Sequence, residues 1–348
     1  MVEPAAPARE PLKPADWASW SDEQLLAVRM CDLGLTIEGT PIEPRLAQIN
    51  SELQARGLAC PHFYLSDEWF TPDGVPGIAI PFYLAHPRLE KLELAQMLEV
   101  EGSDYEGCLR ILRHEAGHAL DNAYRLRRKP TRRRLFGNPN TEYPEYYLPK
   151  PYSKSFVHHL DHWYAQSHPD EDFAETFAVW LDPSSMWATR YAGWPVQRKL
   201  EYMDRLMRTI ARTRPKLRTR RQVDPLSKLK KTLAEHYKKK REHYGLDHPD
   251  FYDSDLHKLF SNAPEYAKNM AAARFVRKIR KDVRTTVASF TDSYQYTIEQ
   301  LLETIVERCR EQNLRLTESE EESRVDFMVF LTVQTMNYLH GGRHRMAL

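Results

Sequence analysis

The sequence predicts an α+β fold that is predominantly helical, with a small sheet beside one central helix and a helical lobe at its C-terminal end. Three observations support this fold class. Glycine accounts for only 13 of 348 residues, and this scarcity favours helices over a turn-rich β protein. Apolar residues recur at helical spacing in most segments. Only two short runs have the composition of strands.

The N-terminal elements follow from capping and turn signals. Residues 1–16 are rich in Pro and Ala and are predicted to form a loose arm. Ser21, with Gln24 three residues later, has the pattern of a capping box, which predicts a helix that ends at Gly34. A second helix is predicted over residues 43–56.

Two strand-like runs and two longer helices come next. Residues 63–65 and 78–83 have strand character and are separated by turn residues. Pro81 marks the second run as an edge strand, because proline cannot donate to a ladder of hydrogen bonds. Helices are predicted over residues 87–99 and 104–128, and the second carries apolar residues at helical spacing.

The rest of the chain is predicted to be a long loop followed by helices. The polar and aromatic stretch at 137–153 has the length of a functional loop. Further helices are predicted over residues 154–166, 170–181, 195–212, 227–244, 264–282, 293–311 and 323–339. A shift to basic composition places a linker at 213–226, which separates a domain at 17–212 from a helical region at 227–348.

Composition excludes several classes of function. Lys and Arg number 50 and Asp and Glu 49, so the net charge of +1 gives no general preference for polyanionic partners. No stretch approaches the ~18 apolar residues of a membrane-spanning helix, and the N-terminus lacks the apolar run of a signal peptide. A cytoplasmic protein without membrane contact is therefore predicted. The four cysteines form no CxxC pair, so a metal would have to be held by His and carboxylate side chains.

The strongest chemical signal is an HExxH sequence inside the predicted helix at 104–128. Its histidines, His114 and His118, project from one helical face, close enough for both imidazoles to bind one zinc ion. Glu115 lies one position along, where it can take a proton from a water molecule at the metal. The alternative is a surface His/Glu pair. The apolar character of the helix disfavours it, because buried unpaired imidazoles are costly.

A catalytic zinc also needs a third protein ligand. The metzincin pattern is excluded, because its Gly and its third His would fall at Asp121 and Tyr124. The predicted helix at 170–181 offers several carboxylates instead. Spacing alone leaves open which of them reaches the metal, the candidates being Asp170, Glu171, Asp172 and Glu175.

Two segments of the sequence carry a resemblance to a known group. HEAGH at 114–118 and EDFAETFA at 171–178 resemble the gluzincin pattern. They are most similar to the putative zinc-binding metallopeptidase family of bacterial proteins, and more distantly to the protease domain of anthrax lethal factor. The resemblance covers roughly residues 60–210. It implies a zincin-like catalytic domain with Glu115 as general base, and zinc ligands at His114, His118 and Glu171.

The resemblance also implies roles for neighbouring residues. Tyr164, seven residues before Glu171, is predicted to donate to the oxyanion of a tetrahedral intermediate, and its alternative is a packed aromatic beside Trp163. Glu175, in preference to Asp172, is predicted to hold a ligand histidine through its other ring nitrogen. The alternative for Asp172 is an interaction with the helix dipole in the first turn.

Two further features bear on partners. The predicted edge strand at Ile78, Ala79 and Ile80 could pair with an extended peptide substrate, and an ordinary core strand is an equal alternative. Basic runs at 125–134 and 214–241 could contact nucleic acid or an acidic protein substrate. A solvated basic face is favoured instead, because the overall charge is nearly neutral and no nucleic-acid-binding motif accompanies these runs.

The predicted function is zinc-dependent hydrolysis of peptide bonds, with Zn²⁺ as cofactor and a peptide or protein as substrate. No oligomeric state is indicated. The alternative is a non-catalytic binding or regulatory protein with a structural or vestigial metal site and a basic helical region. The two differ at the metal, because a catalytic zinc keeps one position open for water whereas a structural zinc is closed by a fourth protein ligand.

Overall fold

A computed structural model describes the fold of residues 12–144, 147, 149, 150, 153–244, 253–291 and 293–340. The helices are α1 (Pro14–Trp17), α2 (Asp22–Leu26), α3 (Glu43–Ala55), α4 (Pro87–Met97), α5 (Tyr105–Tyr124), α6 (Pro130–Phe136), α7 (Pro169–Leu181), α8 (Trp187–Arg190), α9 (Gln197–Ile210), α10 (Leu233–Tyr244), α11 (Asp253–Leu259), α12 (Ala272–Thr291), α13 (Gln295–Glu311) and α14 (Glu320–His340). The strands are β1 (His62–Ser66), β2 (Gly77–Pro81), β3 (Phe260–Ser261) and β4 (Arg315–Leu316). These elements confirm the predicted, mainly helical α+β class. None of the described helices is both long enough and apolar enough to cross a membrane.

The chain divides into two compact units. The first comprises the described residues up to Gln96 and those from Val100 to Lys238. The second comprises Met97–Glu99 and the described residues from Lys239 onward. The domain boundaries and the linker predicted from the sequence remain predictions.

The small sheet of the first unit is a parallel pair. β1 and β2 are in register from His62 opposite Gly77 to Ser66 opposite Pro81. Every residue of β2 is buried. The chain continues after Pro81 as a 3-10 helix over Phe82–Ala85, so the second predicted strand ends two residues early. Proline offers no N–H to extend the ladder, which is consistent with a strand that stops there.

Helix α5 is the central buried helix of the first unit and packs against α3 and α7. The side chain of Asp104 caps its start by accepting a hydrogen bond from the Gly107 amide at 2.7 Å. The helix ends at Tyr124, and the next residue, Arg125, has a left-handed backbone with φ 55°. Between these ends, apolar residues such as Leu112 and Ala116 are completely buried. The helix is therefore about one turn shorter than predicted.

A glycine in α5 permits a close approach to α7. A Cβ atom on Gly117 would lie 2.9 Å from the Cα of Ala174 and 3.2 Å from the Cβ of Phe177. Contacts of this kind overpack an interface, so a larger residue would push the helices apart. The HEAGH segment of α5 consequently lies directly against the middle of α7.

The second unit is built on α12, α13 and α14, with α12 packed against both of the others. β3 and β4 pair antiparallel, with Phe260 opposite Leu316. Its core includes the buried rings of Phe260, Phe275 and Phe327. The three helices predicted for this region are present, and α12 lies closer to the C-terminus than its predicted range of 264–282.

The helix predicted over 154–166 is wrong. Its first half is irregular, and a 3-10 helix follows over Asp161–Gln166. His162 and Trp163 adopt left-handed backbone angles there, with φ 60° and 53°. An α-helix cannot pass through two such residues.

Other local differences are smaller. The capping box at Ser21 is confirmed, but its helix ends at Leu26 rather than at Gly34. Helices α6, α8 and α11 and strands β3 and β4 have no counterpart in the sequence prediction. Of the predicted arm at 1–16, residues 1–11 lie outside the described part of the chain, and α1 begins at Pro14. Of the predicted loop at 137–153, the described residues form no helix, and residues 145, 146, 148, 151 and 152 lie outside the description.

Candidate metal centre

Three side chains from α5 and α7 converge on one point. His114 and His118 come from α5 and Glu171 from α7, and one ligand atom of each lies within 4.8 Å of the others. The two Nε2 atoms are 3.1 Å apart. Oε2 of Glu171 lies 3.0 Å from Nε2 of His114 and 3.1 Å from Nε2 of His118. The structure thus brings together the three residues that the resemblance implied.

Helix geometry accounts for this convergence. His114 and His118 are four residues apart on α5 and therefore share a face. His168 caps α7, because its Nδ1 accepts a hydrogen bond from the Asp170 amide at 3.1 Å. Glu171 follows in the first turn, where the helix dipole favours an acidic side chain. The close approach at Gly117 brings the two faces within reach of each other.

His114 is oriented by a carboxylate behind it. Its Nδ1 lies 2.7 Å from Oε1 of Glu175, and Oε2 of Glu175 accepts the Leu160 amide at 2.9 Å. Because a carboxylate can only accept, Nδ1 carries a proton and Nε2 is the ring nitrogen left for a metal. Both oxygens of Glu175 are thus engaged away from the cluster.

The histidines and the carboxylates of the cluster shift one another's pKa values. Burial alone would lower the pKa of His114, but hydrogen bonds to Glu171 and Glu175 raise it well above its usual value. Burial would raise the pKa of Glu171, but the charge of His118 and a hydrogen bond to His114 hold it well below its usual value. A metal entering this cluster must displace protons from the imidazoles, so metal binding is coupled to proton release.

Glu115 is held beside the cluster by a residue far away in sequence. Its Oε2 accepts a hydrogen bond of 2.7 Å from the hydroxyl of Thr71, in the segment between β1 and β2. The Glu115 side chain is mostly buried. It therefore has a fixed partner on one side and lies next to His114 in the chain.

Tyr164 lies beside His114. The centroid of its ring is 5.6 Å from that of His114. Burial raises the pKa of Tyr164 well above its usual value, and the charges of Glu171 and Glu115 raise it further. The phenol therefore keeps its proton and can donate a hydrogen bond.

Other predicted site residues lie elsewhere. Asp172 makes no contact with the histidines, because its Oδ2 pairs with Nζ of Lys199 at 2.7 Å. Burial raises the pKa of Asp172 to about 7, against the opposing charge of Lys199. Of the two carboxylates predicted to hold a ligand histidine, the structure places only Glu175 against one.

Ile78, Ala79 and Ile80 are completely buried in β2. On the side of β2 away from β1, the Ala79 amide donates to the carbonyl of Phe70 at 2.9 Å. A substrate strand would have to take the place of Phe70 at this point. The assignment of these residues to substrate binding stays a prediction.

Sequence reasoning missed a buried arginine near the cluster. Arg132 on α6 is fully buried, and its Nη2 lies 2.8 Å from Oδ2 of Asp121 and 2.5 Å from Oδ1 of Asp170. Through these two carboxylates Arg132 links α5 to α7. Asp170 is the residue immediately before Glu171. The interpretation of the basic run at 125–134 as a solvated face is wrong for Arg132, because its charge is paired inside the protein.

A second missed residue is Tyr143, in the segment after α6. Its hydroxyl donates to Oε1 of Glu171 at 2.7 Å. The aromatic composition and length of the predicted loop at 137–153 were the only signals in the sequence that pointed to this segment.

The donor set fits zinc. Two imidazole nitrogens and one carboxylate oxygen are a combination that zinc enzymes use, and a carboxylate behind a ligand histidine is their usual support. The nitrogens and the oxygen of this combination come from His114, His118 and Glu171. The carboxylate behind a histidine is that of Glu175. Fold and site together define a helical α+β protein with a zinc-type centre between two helices.

Comparison with known families agrees with this class. Residues 90–233, which contain α5 and α7, match the family described as "Putative zinc-binding metallo-peptidase". The match covers less than half of the chain. It confirms the family predicted from the two motifs, whereas the more distant resemblance to lethal factor stays a prediction. No curated protein and no solved structure matches the chain.

Proposed function

We propose that the protein is a zinc peptidase of the gluzincin type, which hydrolyses peptide bonds with a water molecule activated beside Glu115. The observation that carries this proposal is the convergence of His114, His118 and Glu171. Among the described residues, these three donors gather at this point and no fourth His, Cys, Asp or Glu joins them. Three protein ligands leave one position of a tetrahedral zinc for water, which is the arrangement of catalytic sites.

Each neighbouring side chain has a part in this mechanism. Zinc at this site would polarise both a water molecule and the scissile carbonyl. The carboxylate of Glu115 takes the proton of the attacking water and passes it to the leaving amine. The hydroxyl of Tyr164 donates to the oxygen on which negative charge develops. Glu175 keeps Nδ1 of His114 protonated and thereby directs Nε2 towards the metal.

Metal analysis combined with a cleavage assay tests the proposal. The purified protein should hold about one zinc per chain and cleave members of a broad library of quenched fluorescent peptides. A chelator should stop cleavage, and added zinc should restore it. Zinc-loaded protein that cleaves nothing in the library would favour a binding or regulatory role, and protein that binds no zinc would contradict the metal site itself.

Replacing Tyr164 with phenylalanine should lower the turnover number by ~10- to 1000-fold, as expected for the loss of one oxyanion donor. Zinc content and melting temperature should change little, because the ring remains. Turnover on a single peptide substrate and zinc content measure the two effects.

Tyr202→Phe on α9 is the matched control for Tyr164. Among the described residues, the Tyr202 hydroxyl has no hydrogen-bond partner, so its loss should leave turnover unchanged. A Tyr164→Phe protein that loses zinc or unfolds would assign this tyrosine to packing instead.

A further inference from the structure

The carboxylate of Glu171 has different partners on its two oxygens. Oε2 faces the Nε2 atoms of His114 and His118 at 3.0 and 3.1 Å. Oε1 accepts a hydrogen bond from the hydroxyl of Tyr143 at 2.7 Å. The side chain of Glu171 is almost completely buried, so no bulk water competes for Oε1. The structure therefore separates one oxygen that faces the histidines from one that is held by a phenol.

Tyr143 is held in place although half of its surface, 50%, is exposed. Its ring stacks on that of His168, with centroids 3.7 Å apart and planes inclined by 16°. The imidazole of His168 connects the segment around Tyr143 to α7, because each of its two nitrogens makes a hydrogen bond. Its Nδ1 accepts the Asp170 amide at 3.1 Å, and its Nε2 lies 2.8 Å from the carbonyl oxygen of Thr141.

These two contacts define one tautomer of His168. Because Nδ1 accepts a hydrogen bond, Nε2 carries the proton and donates it to the Thr141 carbonyl. The ring thus fixes the backbone two residues before Tyr143 and provides the surface on which the phenol lies. His168 caps α7, and Glu171 follows three residues later in its first turn. A phenol stacked on the His168 ring therefore lies where its hydroxyl reaches the Glu171 carboxylate.

We infer that Tyr143 is a positioning residue, which holds Oε1 of Glu171 so that only Oε2 is offered to the metal. The inference rests on the zinc site of the proposed function. A carboxylate can bind a metal through one oxygen or through both, and the second oxygen would compete for the position that water needs. The hydrogen bond from Tyr143 favours the first arrangement, because Oε1 would have to give up its donor to become a ligand.

The test substitutes cobalt for zinc and compares Tyr143→Phe with wild type. Visible absorption of Co²⁺ depends on its coordination number, and it is recorded without any turnover. Tyr143→Phe should bind one Co²⁺ per chain with an absorption band of altered intensity, which reports an added ligand atom. In the zinc-loaded form its turnover number should fall by ~10- to 100-fold, the usual range for residues that support a ligand, with little change in KM.

Tyr202→Phe is again the control, and it should match wild type in both measurements. A Tyr143→Phe protein with the wild-type cobalt spectrum would overturn the inference. So would a Tyr143→Phe protein that no longer folds in the absence of metal, because the loss of one hydrogen bond to Oε1 should lower the melting temperature only modestly. Wild-type protein that binds Co²⁺ but cleaves no peptide would overturn the proposed function and leave the role of Tyr143 standing. Wild-type protein that binds no Co²⁺ would overturn both.

Discussion

Glu115→Gln is expected to retain the full zinc content of the protein and to lose peptide hydrolysis by a factor of at least ~100 to 10,000, the range of general base catalysis. Glutamine has the size and shape of glutamate, and its amide oxygen can still accept the hydrogen bond that Thr71 donates at 2.7 Å. It cannot take a proton from water. The substitution therefore removes one chemical step and leaves the three metal donors in place.

Zinc content, melting temperature and turnover number on one peptide substrate decide this result. Glu106→Gln is the matched control, since Glu106 is exposed in the first turn of the same helix and lies outside the cluster. It should behave as wild type. Unchanged turnover in zinc-loaded Glu115→Gln would contradict the mechanism, and loss of zinc would show that Glu115 supports the metal site instead.

Local sequence signals were enough to predict the two helices that carry the candidate metal donors. The HExxH spacing on α5 and the acidic start of α7 after Pro169 both depend on residues within one or two turns of each other. The same holds for α9 and for the capping box at Ser21. The fold class followed because most of these elements are helices with a buried apolar face.

The parts that sequence reasoning missed depend on contacts between distant residues. Tyr143 and Glu171 are 28 residues apart, Arg132 and Asp170 38, and Thr71 and Glu115 44. No periodic pattern connects such pairs, because each contact exists only once distant segments of the chain have packed together. An arginine in a basic run is indistinguishable in sequence from its solvated neighbours.

The incorrect prediction of a helix at 154–166 has the same kind of cause. The Leu160 amide is bound by Glu175, and the carbonyl of His162 accepts a hydrogen bond from the Tyr147 hydroxyl at 2.8 Å. These partners compete with the hydrogen bonds of a helix. Tertiary contacts thus hold His162 and Trp163 in left-handed conformations that local propensity disfavours. Tyr164, next in the chain, lies beside His114 as a result.

The last expected result distinguishes the two glutamates of α7. Glu171→Ala should abolish tight zinc binding, because it removes one of three donors. Glu175→Ala should weaken zinc affinity by only ~10- to 100-fold and remain metallated at high zinc, because it removes the support of His114 and no donor. Zinc titration of the two variants against a competing chelator measures both affinities.

The contacts of each carboxylate are the reason for this order. Oε2 of Glu171 faces the Nε2 atoms of both His114 and His118. The two oxygens of Glu175 are hydrogen-bonded instead to Nδ1 of His114 and to the Leu160 amide. Glu175 could reach a metal at the cluster only by leaving both of its partners. Loss of Glu175 leaves a buried imidazole N–H and a backbone amide without acceptors, so the melting temperature of the metal-free Glu175→Ala protein should fall below that of the wild type. A Glu175→Ala protein that cannot be metallated, beside a fully zinc-loaded Glu171→Ala protein, would reverse the assignment of ligand and support.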